Sequence, residues 1–392
     1  MRYTPKSEVV RRIAKLQESM RQNDIEGAVI VQNADLFYFT GTIQNSHLFI
    51  PSKGQPLLMV KKNLERAIEE SPLDNIIGVS SLKEIDIALQ SRGYGPFKTL
   101  GFELDVLPAK MYLRYQKLFK PAEIVDISGL IRTVKMIKSP YEIEILKDAA
   151  KVQLEIFSFI KDNLREGMSE LEISGMVAGL ARKKGHPGLM RVRGFNQELF
   201  YVHLLSGSNT NPSYFDGSVG GKGISPAFAQ GSCNKVIGRN EPVLVDFSFI
   251  LDGYMLDQTR VFCSGKLPDH LARAHASAVH ILKELEIMAR PGVACSELYD
   301  RAMQLAGESG FIKHFLGFPE SVAFIGHGVG IELDELPVIA HGFDTPLEEG
   351  MVFALEPKYV FPDGAVGLEN TYLVTRGGLE KLTVFEEDII YT

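Results

Sequence analysis

Two aspartates flank an Asp-Gly dipeptide at 252–253 in the segment "VLVDFSFILDGYMLDQTRVF". Asp-Gly between alternating apolar runs is a strong β-hairpin signal, because both residues tolerate a positive φ. If this dipeptide is a two-residue turn, Asp246 lies opposite Thr259 and Asp257 lies opposite Ser248. The two aspartates then become diagonal neighbours on one face of the hairpin, and both side chains can reach one point.

A second acidic pair follows the same plan in "VFALEPKYVFPDGAVGLENTYLV". With Asp-Gly at 363–364 as the turn, Glu356 is predicted to face Thr371 and Glu369 to face Lys358. Glu356 and Glu369 are again diagonal neighbours, with the same offset as the aspartates. Two hairpins that each present two carboxylates predict one shared acidic site.

The apolar residues around these acids predict that the carboxylates are buried. Asp246 lies within "VLVDFSF" and Glu356 within "MVFALEP", both apolar enough for central strands. Buried carboxylates repel one another and take up protons unless cations neutralise them. Two divalent ions would cancel four negative charges, and His327 in "GHGVG" is the best placed imidazole ligand. Oxygen ligands with one imidazole suit Mn²⁺, Co²⁺, Fe²⁺ or Zn²⁺.

Such a site has a defined chemistry. Two ions can bridge and deprotonate a water, bind a carbonyl oxygen or an amine, and stabilise a tetrahedral intermediate. Glu356 or Glu369 could then move the proton. The competing interpretation is that each acid is an ordinary surface residue and that His327 is a structural histidine in a glycine-rich turn. The acidic quartet favours the metal interpretation.

The chain length of 392 residues favours two domains. Helical and strand patterns alternate through residues 1–134, which indicates a compact α/β domain. A clear helix start then follows: Ser139 as N-cap, Pro140 at the first helical position and Glu142 completing a capping box. Residues 135–392 are therefore predicted to be a second domain.

The second domain shows a faint internal repeat. The segments "REGMSEL" (165–171) and "RPGVACSEL" (290–298) each follow one helical pattern and precede another. Each half then ends in one of the Asp-Gly hairpins. This order predicts a pseudo-symmetric domain.

Composition limits the class of function. The net charge of −7 argues against a general nucleic-acid binder. No apolar run is long enough to span a membrane, and the first residues lack a signal-peptide core. Three widely spaced cysteines form neither a disulfide framework nor a CxxC metal site, which predicts a cytoplasmic protein.

With these motifs in place, the chain resembles the pita-bread metallopeptidases: Xaa-Pro dipeptidase (prolidase), aminopeptidase P, methionine aminopeptidase and the metal-free relative creatinase. The five metal ligands of that family correspond to Asp246, Asp257, His327, Glu356 and Glu369. The segment "MIKSPYEIEILKDAA" resembles the entry to the catalytic domain of the Xaa-Pro group. The resemblance implies an α+β fold: an N-terminal creatinase-type α/β domain, then a pita-bread domain whose curved antiparallel sheet holds the metals. It also implies a homodimer.

The chain departs from the family around the substrate. Asp334 stands seven residues after His327, where family peptidases have a histidine near the scissile bond. A second family histidine is replaced by Ser213 or Tyr214 in "SGSNTNPSYFDG", with His203 upstream as a weaker substitute. Gly367 stands where the family has an arginine. Asp334 could act as a protonated acid or contact a substrate cation, or it could simply be a turn residue.

Three functions follow from this pattern. The first is a dinuclear metallohydrolase that cleaves a peptide bond next to proline by a metal-bridged hydroxide. The second is a family member that acts on another small polar substrate, because both histidines are replaced. The third is a non-catalytic binding module, which the retained metal ligands disfavour.

Overall fold

The computed structural model describes residues 2–210 and 217–392. Two compact units emerge from the backbone contacts. The first comprises Met1–Lys135 together with Arg193–Asn196, and the second comprises Met136–Val192 together with Gln197–Thr392.

Helices and strands alternate in the first unit. They are α1 (Lys6–Gln22), β1 (Gly27–Ile30), α2 (Asn33–Thr40), β2 (Ser46–Pro51), β3 (Leu57–Val60), α3 (Leu64–Glu70), β4 (Ile76–Gly78), α4 (Leu82–Gln90), β5 (Thr99–Phe102), α5 (Ala109–Leu118), β6 (Glu123–Asp126) and α6 (Ser128–Met136). The strands form one mixed sheet in the order β4-β3-β2-β1-β5-β6. Its apolar side chains pack with those of α4 and α5 in one buried core. This is the α/β arrangement that the alternating pattern predicts.

A buried ion network stabilises the first unit. Arg193 donates from Nε and Nη2 to the two carboxylate oxygens of Asp105, at 2.6 and 2.9 Å, and from Nη1 to Oδ2 of Asp35 at 2.9 Å. Lys135 Nζ lies 3.4 Å from the other oxygen of Asp35, whose side chain is fully buried. These contacts account for the grouping of Arg193–Asn196 with the first unit.

The second unit has two helix pairs and sheets whose strands are mostly antiparallel, the exception being the parallel pairing of its last strand. Its elements are α7 (Pro140–Asn163), α8 (Glu170–Lys183), β7 (Val202–Ser206), β8 (Val243–Leu251), β9 (Tyr254–Cys263), α9 (Asp269–Met288), α10 (Cys295–Glu308), β10 (Phe324–Gly328), β11 (Glu335–Ala340), β12 (Val352–Leu355), β13 (Lys358–Phe361), β14 (Gly364–Gly367), β15 (Asn370–Thr375), β16 (Gly378–Lys381) and β17 (Ile390–Tyr391), with short 3-10 helices at Gly207–Thr210 and Ile312–His314. The sheet orders are β11-β10-β12-β15-β16, β13-β14 and β17-β9-β8-β7.

The start of α7 is the predicted capping box. Ser139 Oγ accepts from the backbone N of Glu142 at 3.1 Å, and Glu142 Oε2 accepts from the backbone N of Ser139 at 2.9 Å. Pro140 occupies the first helical turn. Each helix pair, α7–α8 and α9–α10, precedes one of the acidic hairpins, in the order that the internal repeat predicts. Among the described residues, no helix combines the length and apolar character needed to cross a membrane.

Candidate metal centre

The first acidic hairpin forms with the predicted register. β8 and β9 pair antiparallel, with Asp246 opposite Thr259 and Ser248 opposite Asp257. The turn residues at 252–253 have φ values of 48° and 92°, as a type I′ turn requires. Asp246 and Asp257 therefore project from the same face.

The predicted register of the second hairpin is wrong by two residues. Lys358 lies opposite Gly367 in the β13–β14 pair. The β12–β15 pair, on the other side of the two glutamates, continues the same register. The chain turns at 362–363, because the fixed φ of the proline suits the first turn position of the "FPDG" sequence. Glu356 and Glu369 therefore face each other directly instead of lying on a diagonal.

A backbone bridge between Thr259 and Glu369 joins the two hairpins. Each residue donates its N–H to the carbonyl of the other, at 3.3 and 3.1 Å. Thr259 is also opposite Asp246, which in turn is opposite His203 in β7. These four residues form one row across adjacent strands. The row brings carboxylates from both hairpins to the same place.

His327 reaches this row from β10, and its ring has a defined orientation. Nδ1 lies 2.8 Å from the carbonyl oxygen of Leu333. A carbonyl only accepts, so Nδ1 carries the hydrogen and Nε2 presents its lone pair. Nε2 lies 3.6 Å from Oε1 of Glu356 and 3.9 Å from Oε1 of Glu369. A backbone carbonyl that fixes the tautomer in this way is usual for a metal-binding histidine.

The glycines beside His327 permit close strand packing. A Cβ on Gly326 would lie 2.3 Å from the carbonyl oxygen of Ala354, and a Cβ on Gly328 would lie 2.2 Å from that of Leu336. Any larger residue would push the neighbouring strands away. The two glycines thus hold His327 close to the glutamates.

Asp257, His327 and Glu369 offer ligand atoms that all lie within 4.8 Å of one another. Oε1 of Glu369 is buried and has no hydrogen-bond partner among the described residues. Such an oxygen is costly unless a cation meets it. Ser248 Oγ donates to Oδ1 of Asp257 at 3.0 Å and orients that carboxylate. These three residues fit one divalent ion bound by oxygen and imidazole ligands.

Lys358 is a member of this site that the sequence analysis missed. Its buried Nζ lies 2.9 Å from Oδ2 of Asp246, 2.9 Å from Oε2 of Glu356 and 3.0 Å from Oε2 of Glu369. The sequence does contain a signal for it: residues two positions apart in a strand share a face. Lys358 follows Glu356 by two positions.

The charges in the cluster divide between two sides. Burial, followed by the carboxylates of Glu369 and Asp246, raises the pKa of Asp257 well above its usual range. Burial also raises the pKa of Glu369 to about 7, against the opposing effect of Lys358. Burial alone would raise the pKa of Asp246, but Lys358 and His203 outweigh it and lower that pKa. Burial alone would lower the pKa of Lys358, but its carboxylate partners raise that pKa well above its usual range.

The other predicted residues have different positions. His203 is buried and donates from Nε2 to the carbonyl oxygen of Gly220 at 2.8 Å, and burial lowers its pKa despite Asp246. Asp334 is half-buried in the turn between β10 and β11, directly after Leu333. Its substrate role stays a prediction. Ser213 and Tyr214 lie outside the described residues.

Comparison with known proteins agrees with this architecture. Residues 144–376 match metallopeptidase family M24, and residues 12–137 match the creatinase/prolidase N-terminal domain. An Xaa-Pro dipeptidase of Pyrococcus furiosus is 26% identical over 383 residues, covering 97% of this chain and 99% of the relative. One from Lactobacillus helveticus is 25% identical over 387 residues, covering 96% and 97%.

Solved structures show the same fold. The prolidase of Pyrococcus horikoshii superposes with a TM-score of 0.82 at 25% identity, covering 97% of this chain and all of the other. An Xaa-Pro dipeptidase from Bacillus anthracis gives a TM-score of 0.84 at 24% identity, covering 98% and 100%. The predicted fold, family resemblance and hydrolase class are confirmed. Because the family match spans more than half of the residues, this chain belongs to metallopeptidase family M24.

Proposed function

We propose that this chain is a metal-dependent hydrolase that cleaves small peptides at an Xaa-Pro bond. The observation that carries the proposal is the group formed by Asp257, His327 and Glu369. Its buried, unpartnered carboxylate oxygen and oriented imidazole suit a divalent ion. Membership of a metal-dependent peptidase family supports the reaction class. The relatives named Xaa-Pro dipeptidase support the substrate class.

A divalent ion held by these three residues would act as a Lewis acid on the scissile carbonyl and lower the pKa of a water. Mn²⁺, Co²⁺, Zn²⁺ and Fe²⁺ all suit the donor set. Asp246 and Glu356 complete the five-residue ligand set that the family resemblance implies. The contacts of Lys358 with both of these residues bear on how many ions are bound.

Glu356 is the proposed proton carrier. Its side chain is 12% exposed, whereas that of Glu369 is 1% exposed. A partly exposed carboxyl group can come within hydrogen-bond reach of a substrate and a water, as a general acid–base must. Glu369 is instead held by Thr259 Oγ1, which donates to its Oε2 at 2.8 Å. We assign Glu369 to ion binding.

The test is hydrolysis of an Xaa-Pro dipeptide by the purified chain with added Mn²⁺ or Co²⁺. The matched substrate has alanine in place of proline. We expect faster turnover of the proline peptide, loss of activity with chelator, and a loss of at least about 100-fold in Asp257→Ala. Proline-independent or chelator-resistant hydrolysis would contradict the proposal.

A second candidate is hydrolysis of another small polar substrate. Two observations favour it: Lys358 lies within the carboxylate cluster, and Asp334 follows the residue that orients His327. An anionic Asp334 would suit a cationic group on the substrate. If the ion binds and no Xaa-Pro peptide is cleaved, this second function replaces the first. The binding-module alternative gains no support from the retained ligand set.

The remaining predictions concern the cellular setting. We propose a cytoplasmic homodimer, as the family resemblance and the cysteine pattern imply. The net charge of −7 supports the expectation that nucleic acid is not a partner. Light scattering measures the oligomeric state directly.

A further inference from the structure

Lys358 is fully engaged by the carboxylates of the proposed metal site. An ammonium group has three N–H donors. Nζ of Lys358 has three carboxylate partners, at 2.9, 2.9 and 3.0 Å, from Asp246, Glu356 and Glu369. Its side chain is 2% exposed. The ammonium is thus surrounded in the way that a bound cation would be.

The lysine and the three-residue group share Glu369 but use different oxygens. Oε2 of Glu369 accepts from Lys358 and from Thr259. Oε1 faces His327 and lacks a hydrogen-bond partner in the described parts of the chain. One oxygen of this carboxylate is thus paired with the ammonium, and the other is oriented toward His327.

Asp246 belongs to the lysine side. It contacts Nζ of Lys358 and does not belong to the group of mutually close ligand atoms formed by Asp257, His327 and Glu369. A second divalent ion would need Asp246 and would have to displace the ammonium or share its oxygens. Like charges in a buried site repel strongly.

The fold provides space for this lysine. Position 367, opposite Lys358, is a glycine, and a Cβ there would lie 3.1 Å from Cγ of Lys358. The lysine stem runs where a side chain on the neighbouring strand would otherwise lie. The glycine at position 367 therefore leaves room for the stem of Lys358.

We propose that the ammonium of Lys358 takes the place of one of the two cations, so that each chain binds a single divalent ion on Asp257, His327 and Glu369. The proposal differs from the sequence-based prediction of two ions. It deepens the proposed function, because it rests on the same metal site. The ammonium and one divalent ion together neutralise three of the four carboxylate charges.

The test is the number of Mn²⁺ ions per chain. The full chain is loaded with excess Mn²⁺, freed of unbound metal by gel filtration, and measured by inductively coupled plasma mass spectrometry. We expect one ion in the wild type and two in Lys358→Met, which removes the charge but keeps most of the volume. Lys381→Met is the matched control. It removes a lysine bound to Glu286 and Glu387 elsewhere in the second unit, and should leave the ratio at one.

Two ions in the wild type would overturn the proposal, as would a single ion in folded Lys358→Met. If that variant does not fold, the electron paramagnetic resonance spectrum of wild-type Mn²⁺ decides. An isolated ion supports the proposal, and an exchange-coupled pair overturns it.

These readouts need no substrate. One ion without Xaa-Pro hydrolysis leaves this inference standing and removes the proposed substrate. Two ions together with Xaa-Pro hydrolysis would overturn this inference and support the proposed substrate.

Discussion

Lys358 and Gly367 lie directly opposite each other in the antiparallel pair β13–β14. A Cβ on Gly367 would lie 2.7 Å from Cα of Lys358 and 2.3 Å from the carbonyl oxygen of Pro357. The glycine has a φ of 145°, where residues with a side chain are strained. A side chain at position 367, where the family resemblance implies an arginine, would therefore clash with the backbone beside Lys358.

Gly367→Ala is expected to destabilise the chain by about 2–3 kcal/mol, because it adds a methyl group to a filled space and strains the backbone. Chemical denaturation measures the change. Gly179→Ala is the matched control: nothing lies within 4 Å of its added Cβ in α8, so stability should stay or rise slightly. Equal stability of the two variants would contradict the steric argument.

Thr259→Val tests how the cluster is oriented. The change keeps the side-chain shape and removes the hydroxyl that donates to Oε2 of Glu369 at 2.8 Å. Loss of such a supporting hydrogen bond is expected to weaken Mn²⁺ binding about 10-fold or more, measured by isothermal titration calorimetry. Thr375→Val is the control, because its hydroxyl bonds the carbonyl of Gly378 outside the cluster. An unchanged dissociation constant in Thr259→Val would remove this role.

Arg193→Ala tests the buried ion network of the first unit. The variant removes the 2.9 Å contact of Arg193 with the fully buried Asp35, which keeps its 3.4 Å contact with Lys135. Removal of one partner from a buried ion network is expected to cost about 3 kcal/mol in urea unfolding. Arg66→Ala removes an exposed pair with Glu70 in the same unit and should cost less than about 1 kcal/mol. Comparable losses would show that the Arg193 contacts add no specific stability.

His47 predicts a pH dependence of stability. Burial, with a smaller effect from Lys61, lowers its pKa to about 4, and its Nε2 lies 2.7 Å from the hydroxyl of Tyr115. The unfolded chain binds this proton near pH 6.5, so the unfolded state gains protons first as pH falls. The contribution of neutral His47 is present above pH 6.5 and is lost as pH falls through about 4.

The size of that loss is about 3 kcal/mol between pH 7 and pH 4. It is measured as the difference in unfolding free energy between the wild type and His47→Gln at each pH. The comparison cancels groups that titrate in both proteins. A pH-independent difference would contradict a depressed histidine pKa.

Much of the site was predictable because its causes are local. Asp-Gly at 252–253 tolerates the positive φ values of the tight turn, and this turn alone fixes Asp246 opposite Thr259. The capping box at Ser139 likewise depends on residues three apart. In the second hairpin, two overlapping turn signals competed, and the proline decided the register.

The residue types of the sequence determined an acidic cluster with one imidazole and the two-part α+β chain that carries it. Only the tertiary structure decided which carboxylates face the candidate metal site and which face an ammonium. Lys358 and Asp246 are 112 positions apart, and Thr259 and Glu369 are 110 apart. No local turn or period specifies such pairs, because their distance depends on how two separately formed hairpins join and pack. The five candidate ligands can therefore be identified from the sequence, whereas the place of the lysine among them is a property of the fold.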